Sequence, residues 1–271
     1  MGTFAISGSG SGIGAATRAR LEKAGHQVIG VDLRNAEITA DLSTADGRAQ
    51  AVASVIEDCQ GRLDGLLTAA GVGPPFDAAQ MVSINWFGSE ALLSGLRPAL
   101  AASGSAQVVA ISSNATTTVP DVPDDLIDAC LSGNEGLARS LAATYGDSLT
   151  YAGSKIAVAR YVRRNAPTAD WAGSGVRLNA IAPGATDTPL LQSGLKDDVY
   201  GPLIRAFPVP TGTFGTAEQI AFWIDMMLTG EGASFMCGSL VFVDGGTDAM
   251  VRADAWPVSY PMPAGSELGF A

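Results

Sequence analysis

Tyr151-Ala152-Gly153-Ser154-Lys155 is the segment of this 271-residue chain whose residue types and spacing most directly permit chemistry. At i and i+4 of a helix expected to open here, phenol and ammonium share one face, a turn apart. A phenol ordinarily titrates near 10, and a neighbouring cation favours its anion. On this reading Tyr151 is an acid/base at neutral pH. Five tyrosines and three lysines (Lys23, Lys155, Lys196) give roughly 0.06 chance pairs at this spacing. A surface coincidence is the weaker explanation. Ser112-Ser113 closes an earlier apolar run, where a hydroxyl could meet a substrate oxygen.

A second constellation, Ser7-Gly8-Ser9-Gly10-Ser11-Gly12-Ile13-Gly14, follows the first apolar run. Gly8, Gly12 and Gly14 have the spacing of a tight turn that lets backbone approach a pyrophosphate and feeds the N–H groups of a helix start to it. A flexible Gly/Ser turn is the plain alternative, and the position between a strand and a helix tells against it. Asp32 ends the second apolar run, where a carboxylate accepts bonds from adenosine ribose hydroxyls and repels a 2′-phosphate. That favours NAD over NADP. Arg34 pulls the other way, whereas Ser11 adds no second positive charge inside the turn.

The elements that must position these groups alternate. Residues 3–7, 27–31, 64–69, 106–112, 175–181 and 238–243 read as buried strands, with helical segments near 13–24, 45–58, 79–102, 152–172 and 216–229. This is the pattern of an α/β fold with one doubly wound parallel sheet, Rossmann-type, with helices on both faces. Ligands of such folds sit beyond the carboxyl ends of the strands. Residues 1–271 are expected to form one dinucleotide-binding and catalytic domain. Segment 114–150 breaks the alternation: six acids against Arg139 give it a net charge of −5. Its apolar spacing predicts two short helices inserted before Tyr151. Its acidity is assigned to solubility or assembly. The tail, 247–271, is proline-punctuated and aromatic (Trp256, Tyr260, Phe270). It is read equally as a cover for the pocket or a partner subunit, or as a disordered extension.

Composition closes other routes. A formal charge of −11 is wrong for holding nucleic acid or an anionic membrane surface. His26 is the single histidine, and Cys59, Cys130 and Cys237 are scattered, so neither a metal site, a histidine triad nor a disulfide framework is expected. With no signal peptide or long apolar run in view, a cytoplasmic protein is expected.

The glycine turn, Asp32, Asp41-Leu42, Thr68-Ala69-Ala70-Gly71, Asn85, Ser113, Tyr151/Lys155 and Pro183-Gly184 stand in the order of the short-chain dehydrogenase/reductase family. The chain resembles that family from about residue 3 to residue 246. Within it, "GIGAATR", "ADLSTADGR", "YAGSK" and "VRLNAIAPGATDTPLL" look like the bacterial 3α-hydroxysteroid dehydrogenase/carbonyl reductase branch. The long segment between Ser113 and Tyr151 fits that branch too. The resemblance implies an oxidoreductase in which Tyr151 exchanges the proton of a secondary alcohol while hydride passes to or from a nicotinamide. It implies that Lys155 lowers the phenol pKa and holds the nicotinamide ribose, and that Ser113 stabilises the reacting oxygen. Asn85 is implied to support a water linked to Lys155. Gly8, Ser11, Gly12, Ile13 and Gly14 are implied to hold the pyrophosphate, with Asp32, Leu33 and Arg34 at the adenosine ribose. Asp41 and Leu42 are implied to border the adenine, and Ala70 and Gly71 to line the cofactor. Pro183, Gly184, Thr186 and Thr188 are implied to hold the carboxamide end. Thr68 and Ala69 depart from the family's usual asparagines, and Ser112 competes with Ser113.

Segment 185–212 is the expected substrate loop. It carries Leu190, Leu191, Leu195, Tyr200, Leu203, Ile204 and Phe207 but no arginine cluster. A bulky apolar alcohol or ketone, such as a hydroxysteroid, is the expected substrate; core packing is the alternative use of those residues. Rival functions are a catalytically silent dinucleotide sensor or scaffold, a reductase of small non-steroid ketones, and a sugar-nucleotide epimerase or dehydratase. A complete Asn85/Ser113/Tyr151/Lys155 set argues against the first; chain length and glycine spacing argue against the last. A homodimer or homotetramer is implied by the resemblance, with the interface altered by 114–150.

Overall fold

Along the longer strands of the computed structural model, which describes residues 1–258, apolar side chains bury themselves on alternate sides. Ala5, Ile29, Leu66, Val108 and Leu178 enter one core; Phe4, Ile6, Val28, Leu67, Val109 and Ile181 enter the other. Both faces of the sheet are therefore covered, as a parallel sheet requires.

The strands are β1 (Thr3–Ser7), β2 (Gln27–Asp32), β3 (Ile38–Thr39), β4 (Gly65–Thr68), β5 (Gln107–Ile111), β6 (Arg177–Pro183), β7 (Thr186–Asp187), β8 (Gly215–Thr216) and β9 (Leu240–Val243). Seven form one sheet in the order β3-β2-β1-β4-β5-β6-β9, with every pairing parallel. The order reverses between β1 and β4, and the crevice beyond that switch point is where such sheets take ligands. β7 and β8 make a separate two-stranded piece.

The helices are α1 (Gly12–Lys23), α2 (Ala45–Asp58), α3 (Ala78–Val82), α4 (Ser89–Ala101), α5 (Ala115–Thr118), α6 (Asp124–Leu131), α7 (Glu135–Tyr145), α8 (Asp147–Asn165), α9 (Pro189–Leu195), α10 (Tyr200–Ala206), α11 (Ala217–Thr229) and α12 (Thr247–Val251). A π-helical stretch, Ser83–Gly88, joins α3 to α4. The larger core lies under α2, α4 and α8, and the smaller under α1 and α11.

Two expectations need correction. The helix carrying Tyr151 starts at Asp147, so Tyr151 lies in its second turn rather than at its start, and it ends at Asn165 instead of 172. Gly146, at φ 83°, is the single residue between α7 and α8, a sharp turn that no loop-like composition announces. The inserted segment holds α6 and α7 as expected, with the one-turn α5 before them. Gly153 lets α6 lie close on α8, since a Cβ there would stand 3.0 Å from Leu126 Cδ2. Tyr260 and Phe270 of the aromatic tail lie outside the described residues. No helix among the described residues is long and apolar enough to cross a membrane.

Candidate active site

The glycine turn packs against itself. A Cβ on Gly14 would meet the Gly8 carbonyl oxygen at 2.1 Å, and one on Gly8 would meet the Ala70 nitrogen at 2.7 Å. Ala70 N–H in turn donates to Ser7 Oγ at 3.2 Å. A Cβ on Gly12, which sits at φ 54°, would meet the Thr188 side chain at 3.5 Å. Ser11 makes no side-chain cap on α1 and the first turn holds no acid, which leaves the helix start to an outside anion. Ile13 packs on the smaller core. Asp32 accepts from Gly10 N–H at 3.0 Å and from Arg34 N–H at 3.3 Å, so its carboxylate stands at the lip of the turn; Leu33 beside it is exposed. The uncapped helix start, the close glycine packing and the carboxylate at the lip fit a dinucleotide.

Leu42 is buried, and its carbonyl accepts from Arg48 Nη1 at 3.2 Å; Asp41 spends one carboxylate oxygen on Ser43 N–H at 2.9 Å. Pro183 ends β6 and its pairing with β9, the following Gly184 N–H donates to the Val243 carbonyl at 3.1 Å, and Thr186 donates to the Gly184 carbonyl at 2.9 Å. Thr188 caps α9, accepting from Leu191 N–H at 3.4 Å.

At the ends of β5 and α8 the two serines separate. Ser112, almost wholly buried, donates to the Lys155 carbonyl at 3.0 Å and so ties the strand end to the helix. Ser113 Oγ accepts from Ala115 N–H at 3.1 Å and faces the Tyr151 phenol. Lys155 Nζ donates to the Ile111 carbonyl at 3.2 Å and lies 5.8 Å from the Tyr151 ring centroid. Asn85 is fully buried on the π-helical stretch, not a helix-surface amide. Its Oδ1 accepts from Val72 N–H at 2.8 Å, and its Nδ2 donates to the Val72 carbonyl at 2.9 Å and to Ser154 Oγ at 3.3 Å. Gly71 lies against both Asn85 and Lys155: a Cβ there would stand 3.1 Å from Asn85 Oδ1 and 3.5 Å from Lys155 Nζ.

The electrostatics differ from the simple tyrosine–lysine expectation. Burial pushes the Tyr151 phenol above its ordinary value, and the Ser113 hydroxyl pulls it only partly back. Burial also lowers Lys155, to about 8. Desolvation governs both groups, since the ammonium spends its bond on the Ile111 carbonyl and makes none to the phenolic oxygen.

Leu190 brings the 185–212 segment to the edge of the Tyr151 ring. A Cβ on Gly73 would meet Leu190 Cδ1 at 3.5 Å and Tyr151 Cε2 at 3.6 Å, so all three border one space. Leu190 and Leu203 are exposed, and Leu191, Leu195, Ile204 and Phe207 are half-buried. None belongs to the buried cores. Tyr200 of α10 donates to Asp147 Oδ1 at the start of α8, fastening this segment to the helix of Tyr151.

Two further attachments were not legible in sequence. From α7, Glu135 takes the guanidinium of Arg48 at 3.2 and 2.5 Å, and Arg139 donates to the Ala79 carbonyl at 3.0 Å and Ser83 Oγ at 2.8 Å, at the mouth of the π-helical stretch. The acidic insert is thus bolted to the segments of Leu42 and Asn85, not merely a solvated surface. From the chain's end, Asp248 accepts from Thr117 Oγ1 at 2.6 Å and from Arg252, while Asp244 accepts from Asn114 Nδ2 at 3.5 Å. A cleft of about 520 Å³ bordered by Ala185, Phe214, Glu218, Trp223 and Asp244 contains none of Ser113, Tyr151 or Lys155. Among the described residues, no group of three acid, cysteine or histidine side chains is placed to hold a metal ion.

Comparison with known proteins gives two family matches, "short chain dehydrogenase" over residues 3–122 and "Enoyl-(Acyl carrier protein) reductase" over residues 147–248. The chain is 44% identical over 256 residues to a 3-alpha-hydroxysteroid dehydrogenase/carbonyl reductase of Comamonas testosteroni, covering 93% of this chain and 98% of that relative. It is 29% identical over 269 residues to a cis-4-hydroxycyclohexanecarboxylate dehydrogenase of Sinomonas cyclohexanicum, covering 90% and 96%. The crystal structure of a 3-alpha-hydroxysteroid dehydrogenase from Pseudomonas sp. B-0831, complexed with NADH, is similar with a TM-score of 0.89 and 47% identity. It covers 93% of this chain and 99% of that one.

Proposed function

The chain belongs to the short-chain dehydrogenase/reductase family, and from that premise we propose that it is an NAD-dependent dehydrogenase/carbonyl reductase of apolar secondary alcohols and ketones, best suited to a hydroxysteroid or a similarly bulky alicyclic or aromatic compound. The observation that carries this reading is the tie of the β5 end to α8, through Ser112 on the Lys155 carbonyl and Lys155 on the Ile111 carbonyl, which sets Ser113 beside the Tyr151 phenol with Leu190 bordering the ring.

A bound nicotinamide dinucleotide would supply the hydride acceptor or donor. Gly8, Ser11, Gly12, Ile13 and Gly14 would hold its phosphates, Asp32 its adenosine ribose, with Leu42, Ala70, Gly71, Pro183, Gly184, Thr186 and Thr188 along its length. Ser113 steadies the reacting oxygen by hydrogen bonding. Tyr151 Oη takes the alcohol proton in oxidation and returns it in reduction. Lys155, held on the Ile111 carbonyl, would offer its ammonium to the nicotinamide ribose. Asn85, whose side chain is committed to Val72 and Ser154, locks the 69–73 turn onto α8 and so fixes where Lys155 emerges.

Asp32 supports NAD, as does the NADH bound to the Pseudomonas relative. The apolar, part-exposed residues of 185–212 support a large apolar substrate, and the names of the Comamonas and Pseudomonas relatives point to steroids. On this reading the chain is one catalytic unit, working in the cytoplasm as a homo-oligomer; exposed Phe222, Trp223 and Met226 on α11 support self-association. A turnover assay with NAD and NADP over a panel from steroids to small ketones tests the proposal. Activity confined to sugars or hydroxy acids would overturn it. Activity confined to compounds the size of a substituted cyclohexanol would transfer the substrate class to that of the Sinomonas relative.

A further inference from the structure

Beside Asp32 lies a shallow depression of about 470 Å³ lined by Ser9, Gly10, Arg18, Asn35, Ala36 and Glu37. Gly30 of β2 makes room for it. A Cβ at that position would stand 2.4 Å from Ser9 Oγ, 2.8 Å from Glu37 Oε2 and 3.0 Å from Arg18 Nη1. Three polar groups therefore converge over a strand residue that has no side chain.

Their bonding is uneven. Glu37 receives both terminal nitrogens of Arg18, at 2.9 and 2.5 Å, and also Gly30 N–H at 2.9 Å. Glu22 takes the remaining Arg18 nitrogen, Nε, at 2.8 Å. The guanidinium is thus surrounded by two carboxylates. Burial raises the Glu37 carboxyl, but the bond from Arg18 and two backbone N–H groups outweigh it and hold the group below its usual range. Ser9 is 2% exposed, and its hydroxyl has no hydrogen-bond partner among the described residues. An arginine, an unpartnered hydroxyl and a rim shared with Gly10, whose N–H binds Asp32, are the parts of an anion site. Glu37 occupies its cation.

Resting on the dinucleotide reading above, we infer that Glu37 is a second specificity-determining residue: by holding Arg18 in a bidentate pair, it denies a counter-charge to a 2′-phosphate placed beside Asp32, and so sets the preference for NAD. Asp32 repels the phosphate and Glu37 silences the arginine that would receive it. Discrimination of this kind works by withholding a partner as much as by adding a repulsion.

Calorimetric titration of the full-length protein with NADH and with NADPH tests the inference. In Glu37→Gln the ratio of NADPH to NADH affinity should rise about tenfold, the scale of one regained charge-assisted contact. In Glu37→Gln/Arg18→Gln it should return to the original ratio. An unchanged ratio in the single variant overturns the inference, and so does a gain that persists in the double variant, which would credit Arg34. Should Glu37→Gln fail to fold, as judged by circular dichroism, Arg18→Gln alone decides. A ratio that does not move supports the inference, because Arg18 is already silenced; a fall overturns it. Failure of the unsubstituted protein to bind either nucleotide would overturn the dinucleotide reading and the inference with it, a result distinct from NADH binding with an unresponsive ratio.

Discussion

The Lys155 ammonium is anchored 3.2 Å from the Ile111 carbonyl and does not reach the oxygen of Tyr151, its neighbour one turn back. A single neutral acceptor leaves a buried charge poorly compensated, and this is why its pKa falls to about 8. Unfolded, the same lysine titrates near its ordinary 10.5. Between those values the unfolded chain binds more protons, so stability rises with pH there. Below pH 8 the full cost of burial is carried, on the order of 3 kcal/mol before the carbonyl bond offsets part of it. Lys155→Met should therefore raise the Tm of the cofactor-free protein at pH 7 by a few degrees. The advantage should fade as pH climbs through 8 towards 10.5; calorimetry at pH 7 and 10 checks it.

Tyr151 carries the opposite shift, upward. Oxidation needs the phenolate and reduction the phenol. Alcohol oxidation should then climb between about pH 6 and pH 10, by up to about tenfold per unit, while ketone reduction stays level over that span. Tyr151→Phe should lower kcat by about 10²–10⁴-fold in both directions and still bind NADH. Paired initial-rate profiles and a nucleotide titration check both statements, and unchanged turnover in Tyr151→Phe would remove Tyr151 from the proposed proton transfer.

The serines should part in the same way that their bonds do. Ser113→Ala should cost about 10²–10³-fold in kcat with little change in Tm. Ser112→Ala should cost about 1 kcal/mol of stability through the lost bond to the Lys155 carbonyl, and activity should change far less. Denaturation and kinetics on the same two variants separate the roles.

Glu135→Gln should weaken NADH binding several-fold and destabilise the fold. Arg48 is largely buried and would lose its carboxylate, while Glu135 is 27% exposed. The penalty is therefore about 2 kcal/mol, less than for a wholly buried pair. Urea denaturation and nucleotide titration measure the two effects.

Tyr200→Phe removes the tie between α10 and Asp147. A lost hydrogen bond of this kind should raise KM for a bulky ketone about two- to tenfold and leave NADH affinity unmoved. Steady-state kinetics against a large and a small ketone decide it.

Much of this molecule is legible in its sequence because short, wholly apolar runs have few other uses. β1 and α2 have the bounds expected from pattern alone, and Asp32 falls at the end of β2. What escaped detection has physical reasons. β3 is two residues long, too short to show alternation. A π-helical stretch at Ser83–Gly88 shares its composition with ordinary helix, yet it carries the buried Asn85. Choosing between adjacent Ser112 and Ser113 requires knowing which side of the strand end meets α8. Ion pairs such as Arg48–Glu135, 87 positions apart, leave no trace in local spacing. Counting charges thus made the insert look like a solvated surface, although Glu135 and Arg139 turn inward. Spacing placed Tyr151 and Lys155 on one helix, but the sign of the tyrosine shift depended on burial, which spacing does not report.

The bonds from Asp244 and Asp248 to Asn114 and Thr117 bear on how the protein is made. Synthesis runs from the N-terminus, and an exit tunnel hides the newest stretch of chain. The segment next to Ser113 must therefore wait for residues 244–252, and β6 for its partner β9, until those later residues have left the tunnel. A nascent chain could wrap most of its sheet early and still display an unbraced serine, so competence would wait for residues 244–252 to fold back.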